Sequence, residues 1–319
     1  MNACKYAQCF PSYNTRPFRC MEPSAPILSL IISTRNRCSV LARALESLRK
    51  LTTSISWELV VIDNGSSDNT QLVIQHFVAT FSRAVQLVVE PRRGLANAHN
   101  TGFRKARSPI CVFIDDDCYP SDTYLDAISL CFAEDPKIGF IGGRILPWSD
   151  DDCDLAVQKS TNRVPFPPYS FIPTGVIHGA NFACRRAAIE AAGGFDSRFG
   201  PGALFFNAEE IELLARISSA GWAGAYDPRP LVYHDHGRKR GWDEWWLMRS
   251  YDRGRGGYYA KCLLNRTMRA IYLPNWWRRL RKQSWNTSLL EFVSAVEFVI
   301  RAMLVSIARI IVPRRKNES

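Results

Sequence analysis

Hydrophobic and polar positions alternate in blocks through the first half of the chain. The run PILSLIIST (26–34) is short, apolar and rich in Ile and Leu, the pattern of a strand buried on both faces. SVLARALESLRK follows with helical spacing. The scheme then repeats. WELVVID leads through a polar turn into the helical TQLVIQHFVATF, VQLVVE reads as a third strand, GLANAHNTGFRKA as a third helix and PICVFI as a fourth strand. Strands alternating with helices of this length predict parallel βαβ units in an open α/β sheet. Ligands of such sheets sit beyond the carboxyl ends of the strands. Those ends are polar here: Ser33, Thr34, Arg35 and Asn36 after the first strand, Asp63, Asn64 and Gly65 after the second, Asp115 to Asp117 after the fourth. They are expected to converge on one crevice.

After Pro136 the pattern changes. IGFIGGRIL reads as a strand, whereas PWSDDDCD and VPFPPYSFIP are irregular, with Pro breaking any regular element. VIHGANFAC predicts a strand, Arg185 to Ala192 a helix with a Gly-Gly stop, and NAEEIELLARISSAG an amphipathic helix. WAGAYDP and PLVYHDH read as two short strands. Gly193, Gly194, Gly200 and Gly202 suit either a helix C-cap with turns or a loop that closes over a site.

Composition adds little until it is resolved along the chain. The 319 residues are 46% hydrophobic and 22% charged, ordinary globular composition, with room for one large domain and an appendage or for two small domains. The net charge of +11 is uneven. From His236 onward there are 18 Lys/Arg against 6 Asp/Glu, a net +12, which leaves −1 for the preceding residues. Six of the nine Trp lie between Trp242 and Trp285, so a near-neutral globular part is followed by a basic, aromatic tail. The ten Cys show no CxxC and no zinc spacing, which predicts free thiols in a reducing compartment. Residues 1–25 lack the apolar core of a secretory signal and read as a flexible extension. The longest apolar stretch, 289–312, is interrupted by Glu291, Glu297, Arg301 and Arg309 and falls short of a membrane span.

Candidate chemistry centres on Asp115, Asp116 and Asp117. Packed carboxylates raise one another's pKa unless a cation offsets the repulsion. Along an extended segment Asp115 and Asp117 point the same way, which suits a hard divalent ion that keeps positions open for phosphate oxygens. The competing reading is a solvated acidic turn or a cap before SDTYLDAISL.

SLIISTRNR, WELVVIDNGSSDNT, RRGLANAHNTGFRKA, FIDDDCYP, HGANFACRRAAIEAAGGFD and AEEIELLARISSAGW occur in an order that resembles glycosyltransferase family 2, over about residues 26–236. The resemblance implies an α/β GT-A-type fold: an open, mostly parallel (mixed) sheet sandwiched by helices, with a nucleotide-binding half (26–135) and an acceptor half (136–236). A C-terminal helical basic extension (237–319) would follow. It implies that Thr34, Asn36, Asp63, Arg93 and Asn97 hold the nucleotide-sugar, with Asp115 and Asp116 also touching the donor. Asp63 can equally start a turn, bonding the backbone of NGSSD. Arg35 stands where the family often has Tyr, and His99 where many relatives carry Arg and would face the diphosphate. Asp117, with Asp115 and His234, is the implied site for Mn²⁺ or Mg²⁺; His178 and His236 are weaker candidates. Glu210 is the implied general base, with Glu209 as a substitute.

The activity implied is inverting, metal-dependent transfer from a nucleotide-diphospho-sugar to a hydroxyl of a glycan or lipid-linked acceptor, in surface polysaccharide, glycolipid or glycoconjugate synthesis. The interleaved Trp, Tyr and Arg of the tail suit an anionic membrane surface on the cytoplasmic side better than nucleic acid. A tail packed on its own domain, or forming a dimer, is the other reading. A sugar nucleotidyltransferase and an inactive scaffold with a binding tail are the alternatives for the whole chain.

Overall fold

The computed structural model describes residues 25–238 and 241–311. The expected N-terminal extension therefore lies, except for Ala25, outside the described residues, as do residues 312–319 of the expected tail.

The first half builds as the pattern predicts. Strands β1 (Leu28–Thr34), β2 (Trp57–Asp63), β3 (Val85–Val89) and β4 (Ile110–Asp115) are parallel in the spatial order β3-β2-β1-β4. Helices α1 (Cys38–Ser47), α2 (Thr70–Thr80) and α3 (Leu95–Lys105) make the crossovers. Side-chain alternation divides the core into two layers. Leu28, Leu30, Ile32, Leu59 and Val61 pack under α1 and α2, while Ile31, Val60, Ile62 and Phe113 face α3.

Beyond β4 the sheet becomes mixed. Strand β5 (Cys118–Pro120) leads to α4 (Tyr124–Glu134), then β6 (Ile138–Pro147), β7 (Val164–Phe166), β8 (Asn181–Arg185), α5 (Arg186–Ala191), α6 (Glu209–Ser219) and β9 (Ala223–His234). β8 inserts antiparallel between β4 and β6, and β9 runs parallel to β6 with β5 on its far side. Two local expectations change. The segment around VPF, read as irregular, contributes the short β7, which pairs antiparallel with β9. The two short strands expected at 222–236 are one strand with a bulge: Tyr226 pairs with Gly142 and Leu231 with Arg144, so Asp227 to Pro230 oppose Gly143 alone. Pro228 and Pro230 cannot donate to the ladder, and the strand bends out there. Gly143 permits it, because a Cβ would lie 2.5 Å from the Pro230 carbonyl oxygen.

The basic region is helical: α7 (Trp242–Leu264), α8 (Arg266–Leu280) and α9 (Trp285–Ile311). Tyr258, Tyr259, Tyr272, Trp276 and Phe298 from these helices are buried in the same apolar layer as Phe199 and Phe205. The Tyr258 hydroxyl donates to the Ile172 carbonyl at 3.0 Å. Glu291 of α9 is fully buried and accepts from Arg255 Nε (2.7 Å), Trp276 Nε1 (3.1 Å) and Arg279 Nε (3.3 Å), joining all three helices through one carboxylate. Trp242, Trp246, Trp277 and Trp285 remain exposed, as do Phe292, Val296, Ile300 and Leu304 along α9. Among the described residues no helix is long and apolar enough to cross a membrane. The described cysteines are free thiols.

Candidate active site

A cavity of about 600 Å³ opens beyond the carboxyl ends of the parallel strands. Ser33 and Thr34 of β1, Asn64 after β2, Asp115 at the end of β4 and Asp116 and Asp117 just beyond it reach it from one side. Glu209 and Glu210 of α6 reach it from another, and Tyr251, Arg255 and Arg279 of α7 and α8 from a third.

The aspartates are placed by strand pairing. Asp115 ends β4 opposite Ser33, and Cys118 pairs with His234 across the antiparallel β5–β9 ladder. That register brings His234 Nε2 to 3.1 Å from Asp117 Oδ1. His234 Nδ1 lies 3.2 Å from the Ala156 carbonyl oxygen, a contact that calls for a proton on Nδ1, so that in the neutral imidazole Nε2 is the lone pair. Asp117 Oδ1 is correspondingly buried without a hydrogen-bond partner. Two lone-pair atoms at this separation fit a shared hard cation, because ligands about 2.1 Å from an octahedral ion lie about 3 Å apart. Cys118 completes the cluster of potential donor atoms, but burial pushes its thiol well above the ordinary range, and such ions favour oxygen and nitrogen.

Like charge is otherwise compensated by Arg37. Its Nη1 and Nη2 lie 2.8 Å from Asp116 Oδ1 and 2.8 Å from Asp117 Oδ2. The Thr34 hydroxyl donates to Asp116 Oδ2 at 2.5 Å. Burial pushes Asp116 up to about 7 against the pull of Arg37. Burial, then Asp117, raises Asp115. For Asp117 burial is outweighed by His234 and Arg37, which hold it below the usual carboxylate range. Burial opposes charge on His234, and the Asp117 carboxylate outweighs it, so the imidazole titrates above its ordinary value.

The glutamates open α6. Ala208, the residue before the helix, has φ +78°, a left-handed conformation that a non-glycine residue adopts at a cost in strain. Glu209 is buried with Oε2 unpartnered, and burial with Glu210 close by raises its pKa well above normal. Glu210 keeps some accessible surface at the cavity wall, yet protein surrounds it, and desolvation pushes it up to about 7 against backbone N–H groups that include Gly179. A carboxyl poised there can exchange a proton near neutral pH.

Of the residues singled out by sequence, Thr34, Arg35, Arg93, Asp115, Asp116, Asp117, Glu209, Glu210 and His234 line this cavity. Asn36, Asp63 and Asn97 do not. Asn36 Oδ1 accepts from Ser67 N at 2.7 Å, Asn97 donates to the Arg93 carbonyl, and Asp63 accepts from Ser66 N (2.9 Å) and Gln71 Nε2 (2.6 Å). His99 does not line the cavity either: it is boxed by Phe113, Phe182 and Phe195, and burial drives it down to about 3. His178 does line the cavity, whereas His236 accepts from Arg238 N outside it. Sequence reasoning passed over Arg37, although TRNR carries it three residues after Thr34. Asn64, expected at the crevice as a strand-end residue, does line it, and its amide binds the Glu90 and Arg92 carbonyls and Gly94 N and so shapes the loop that carries Arg93. The α7 and α8 residues gave no local signal, since only tertiary packing brings them here.

A family model described as glycosyl transferase family 2 matches residues 29–192. The pre-mycofactocin glycosyltransferase of Mycobacterium tuberculosis is 28% identical over 225 residues, 67% of this chain and 44% of its own length. The probable glycosyltransferase YdaM of Bacillus subtilis is 23% identical over 235 residues, 70% of this chain and 54% of its own. The chain thus spans about half the length of these relatives. Among solved structures, the mannosyltransferase PcManGT of Pyrobaculum calidifontis, in complex with GDP-Man and Mn²⁺, superposes with TM-score 0.62 at 20% identity, covering 91% of this chain and 81% of that one. S. aureus TarS 1-349 with UDP-GlcNAc gives TM-score 0.62 at 13% identity, covering 85% and 80%. The fold is that of GT-A transferase structures.

Proposed function

The chain belongs to glycosyl transferase family 2, and from that premise we propose that it is an inverting, metal-dependent glycosyltransferase, moving a sugar from a nucleotide-diphospho-sugar to an acceptor hydroxyl. Synthesis of a surface polysaccharide, glycolipid or glycoconjugate is the setting we propose. One juxtaposition carries the reading: the Asp117–His234 pair and the Glu209–Glu210 pair face a single cavity at the strand ends. Asp117 and His234, with Asp115, are the residues that would hold Mn²⁺ or Mg²⁺, which supplies positive charge to a departing diphosphate. The names of the structural neighbours, with GDP-Man, UDP-GlcNAc and Mn²⁺, support a donor and an ion of these kinds. Arg93 and Arg35 line the same cavity and suit the phosphates. Glu210 takes the proton of the acceptor hydroxyl as that oxygen attacks the anomeric carbon from the face opposite the diphosphate, which inverts the centre. The proton ends on the Glu210 carboxylate and the electron pair on the nucleoside diphosphate.

The test is nucleotide-sugar turnover over a donor panel with Mn²⁺, with and without EDTA. The proposal expects loss with EDTA and in Asp117→Asn, and loss of transfer in Glu210→Gln. Turnover indifferent to all three would place the chemistry elsewhere. A nucleotidyltransferase would want a Gly-rich basic loop after β1, and STRNRCS has no Gly.

We also infer peripheral contact with an anionic membrane surface on the cytoplasmic side. Its support is the exposed Trp242, Trp245 and Trp246, with Arg249 stacked on Trp245 at 5.1 Å, and the exposed apolar side of α9. Flotation with anionic but not zwitterionic vesicles is expected; flotation with neither, or preferential DNA binding, would refute it.

A further inference from the structure

One face of α7 is turned to the cavity. It carries Leu247, Tyr251, Gly254 and Tyr258, spaced four, three and four residues apart. Leu247 and Tyr251 line the cavity, Tyr258 is fully buried, and Gly254 meets the turn that precedes the glutamates. A Cβ on Gly254 would lie 2.9 Å from the Asn207 Cβ and 2.9 Å from the Asn207 carbonyl oxygen, and one on Gly257 would lie 2.7 Å from the Phe205 ring. The two segments are therefore in close contact, which fixes the register of α7 against residues 205–207. Tyr251, one turn before Gly254, is held beside the start of α6 with its Glu209 and Glu210.

The Tyr251 side chain is half-buried, and among the described residues its hydroxyl has no hydrogen-bond partner and is not sealed off by protein. Water can meet such a group, so the missing partner alone calls for no ligand. Its surroundings do. The charges that reach its phenol are those of Arg238, Glu210, Asp115 and Glu209, from both the strand-end wall and the α6 wall. Burial, aided by those carboxylates against the pull of Arg238, pushes the phenol up, so it is a neutral O–H near neutral pH. A neutral hydroxyl both donates and accepts, as a sugar hydroxyl does, and it brings no charge to compete with an ion or a diphosphate.

We propose that Tyr251 is a substrate-contacting residue whose hydroxyl binds a hydroxyl of the sugar being transferred. The inference rests on reading the cavity as a transferase site, with the diphosphate at the aspartates and the acceptor at Glu210. In a single displacement the acceptor oxygen, the anomeric carbon and the leaving oxygen lie in line, so the sugar ring spans the gap between those two ends. A side chain that feels the charge of both Asp115 and Glu210 faces that ring rather than the nucleotide. A helix of the basic C-terminal region thus takes part in choosing the donor sugar.

The test is calorimetry on the full-length protein with Mn²⁺, comparing UDP and GDP with UDP-glucose, UDP-GlcNAc and GDP-mannose. Tyr251→Phe keeps the ring and removes only the oxygen. It should weaken binding of the tightest-bound nucleotide-sugar about 5-fold, the worth of one hydrogen bond, and leave the matching nucleoside diphosphate unchanged. Deoxy analogues of that donor locate the partner: the one lacking it should bind wild type and variant alike. Equal loss for the nucleotide-sugar and the bare diphosphate, or no loss for either, would overturn the inference. A wild type that binds neither UDP nor GDP strikes the transferase reading itself, which separates that failure from a failure at Tyr251.

Discussion

The Arg37 guanidinium lies 2.8 Å from Asp117 Oδ2 while its other terminal nitrogen holds Asp116 at the same distance, so one side chain answers two of three adjacent carboxylates. Arg37 is 39% exposed, and solvent screening holds its worth below that of a fully buried pair. Arg37→Gln should cost about 1–3 kcal/mol without metal. Saturating Mn²⁺ should then raise the Tm of the variant by more than that of the wild type, because the ion replaces missing positive charge. Equal Mn²⁺ shifts in the two proteins would count against that exchange.

In the proposed mechanism Glu210 ties stability to activity with opposite signs. Its folded pKa of about 7 lies above the ordinary carboxyl value, so folding favours the neutral form. Its contribution is therefore neutral below about pH 4.5 and increasingly destabilising as pH rises toward 7, by roughly 3 kcal/mol at most. Glu210→Gln should stabilise the fold at pH 8 and do little at pH 4, while abolishing transfer. Urea unfolding at the two pH values reads the first effect. In the wild type, kcat/KM should rise through an acid limb near pH 7. A flat profile from pH 6 to 8 would remove Glu210 as the base.

Gly200 sits against Glu209 with φ +93°, and a Cβ there would lie 2.9 Å from Glu209 Oε2. Gly200→Ala should lose about 1–2 kcal/mol from backbone strain alone. It should also lower kcat more than it raises the donor KM, since the push falls on the glutamates and not on the strand ends. Steady-state kinetics separate the two.

Glu291 holds two arginines in a dry place. Glu291→Ala should destabilise by about 3–5 kcal/mol, the cost of stranding buried charge. Because Arg255 and Arg279 line the main cavity, the loss should reach ligand binding as well as the urea midpoint. A variant destabilised to that degree yet unchanged in its binding of UDP with Mn²⁺ would show that the three helices are only a buttress.

Much of this was legible in the chain. Alternating runs read off β1 to β4 and the crossovers, because buried parallel strands are apolar throughout and their polar ends stand out. The Asp triplet was legible for the same reason, since charge at the edge of an apolar block is conspicuous; the α6 glutamates stood out only through the resemblance to the family. What was not legible depends on distant partners. For Asp63 the chain offered both a nucleotide contact and a local turn, and it is the turn onto Ser66 that forms, while its neighbour Asn64 reaches the cavity. His99 looked like a charge facing phosphate, and three Phe rings from separate elements make it a packing residue. Pro228 and Pro230 suggested a break between two strands, whereas the ladder absorbs them in a bulge opposite a glycine. Trp276 and Tyr259 resembled interfacial aromatics, yet they stack on each other at 5.5 Å in the interior.

The β5–β9 ladder also sets an order of events. Asp117 is synthesised long before its partner His234, and their meeting depends on Cys118 finding His234 across an antiparallel pairing that closes a very long loop. Such non-local pairings form late. A nascent chain therefore carries its carboxylates past the ribosome with Arg37 as their available counter-charge, and acquires an imidazole beside them only when the last strand docks. With the ion of the proposed site, cation capture would mark completion of the sheet, and its stabilisation would favour the finished fold over any chain that stopped short of it.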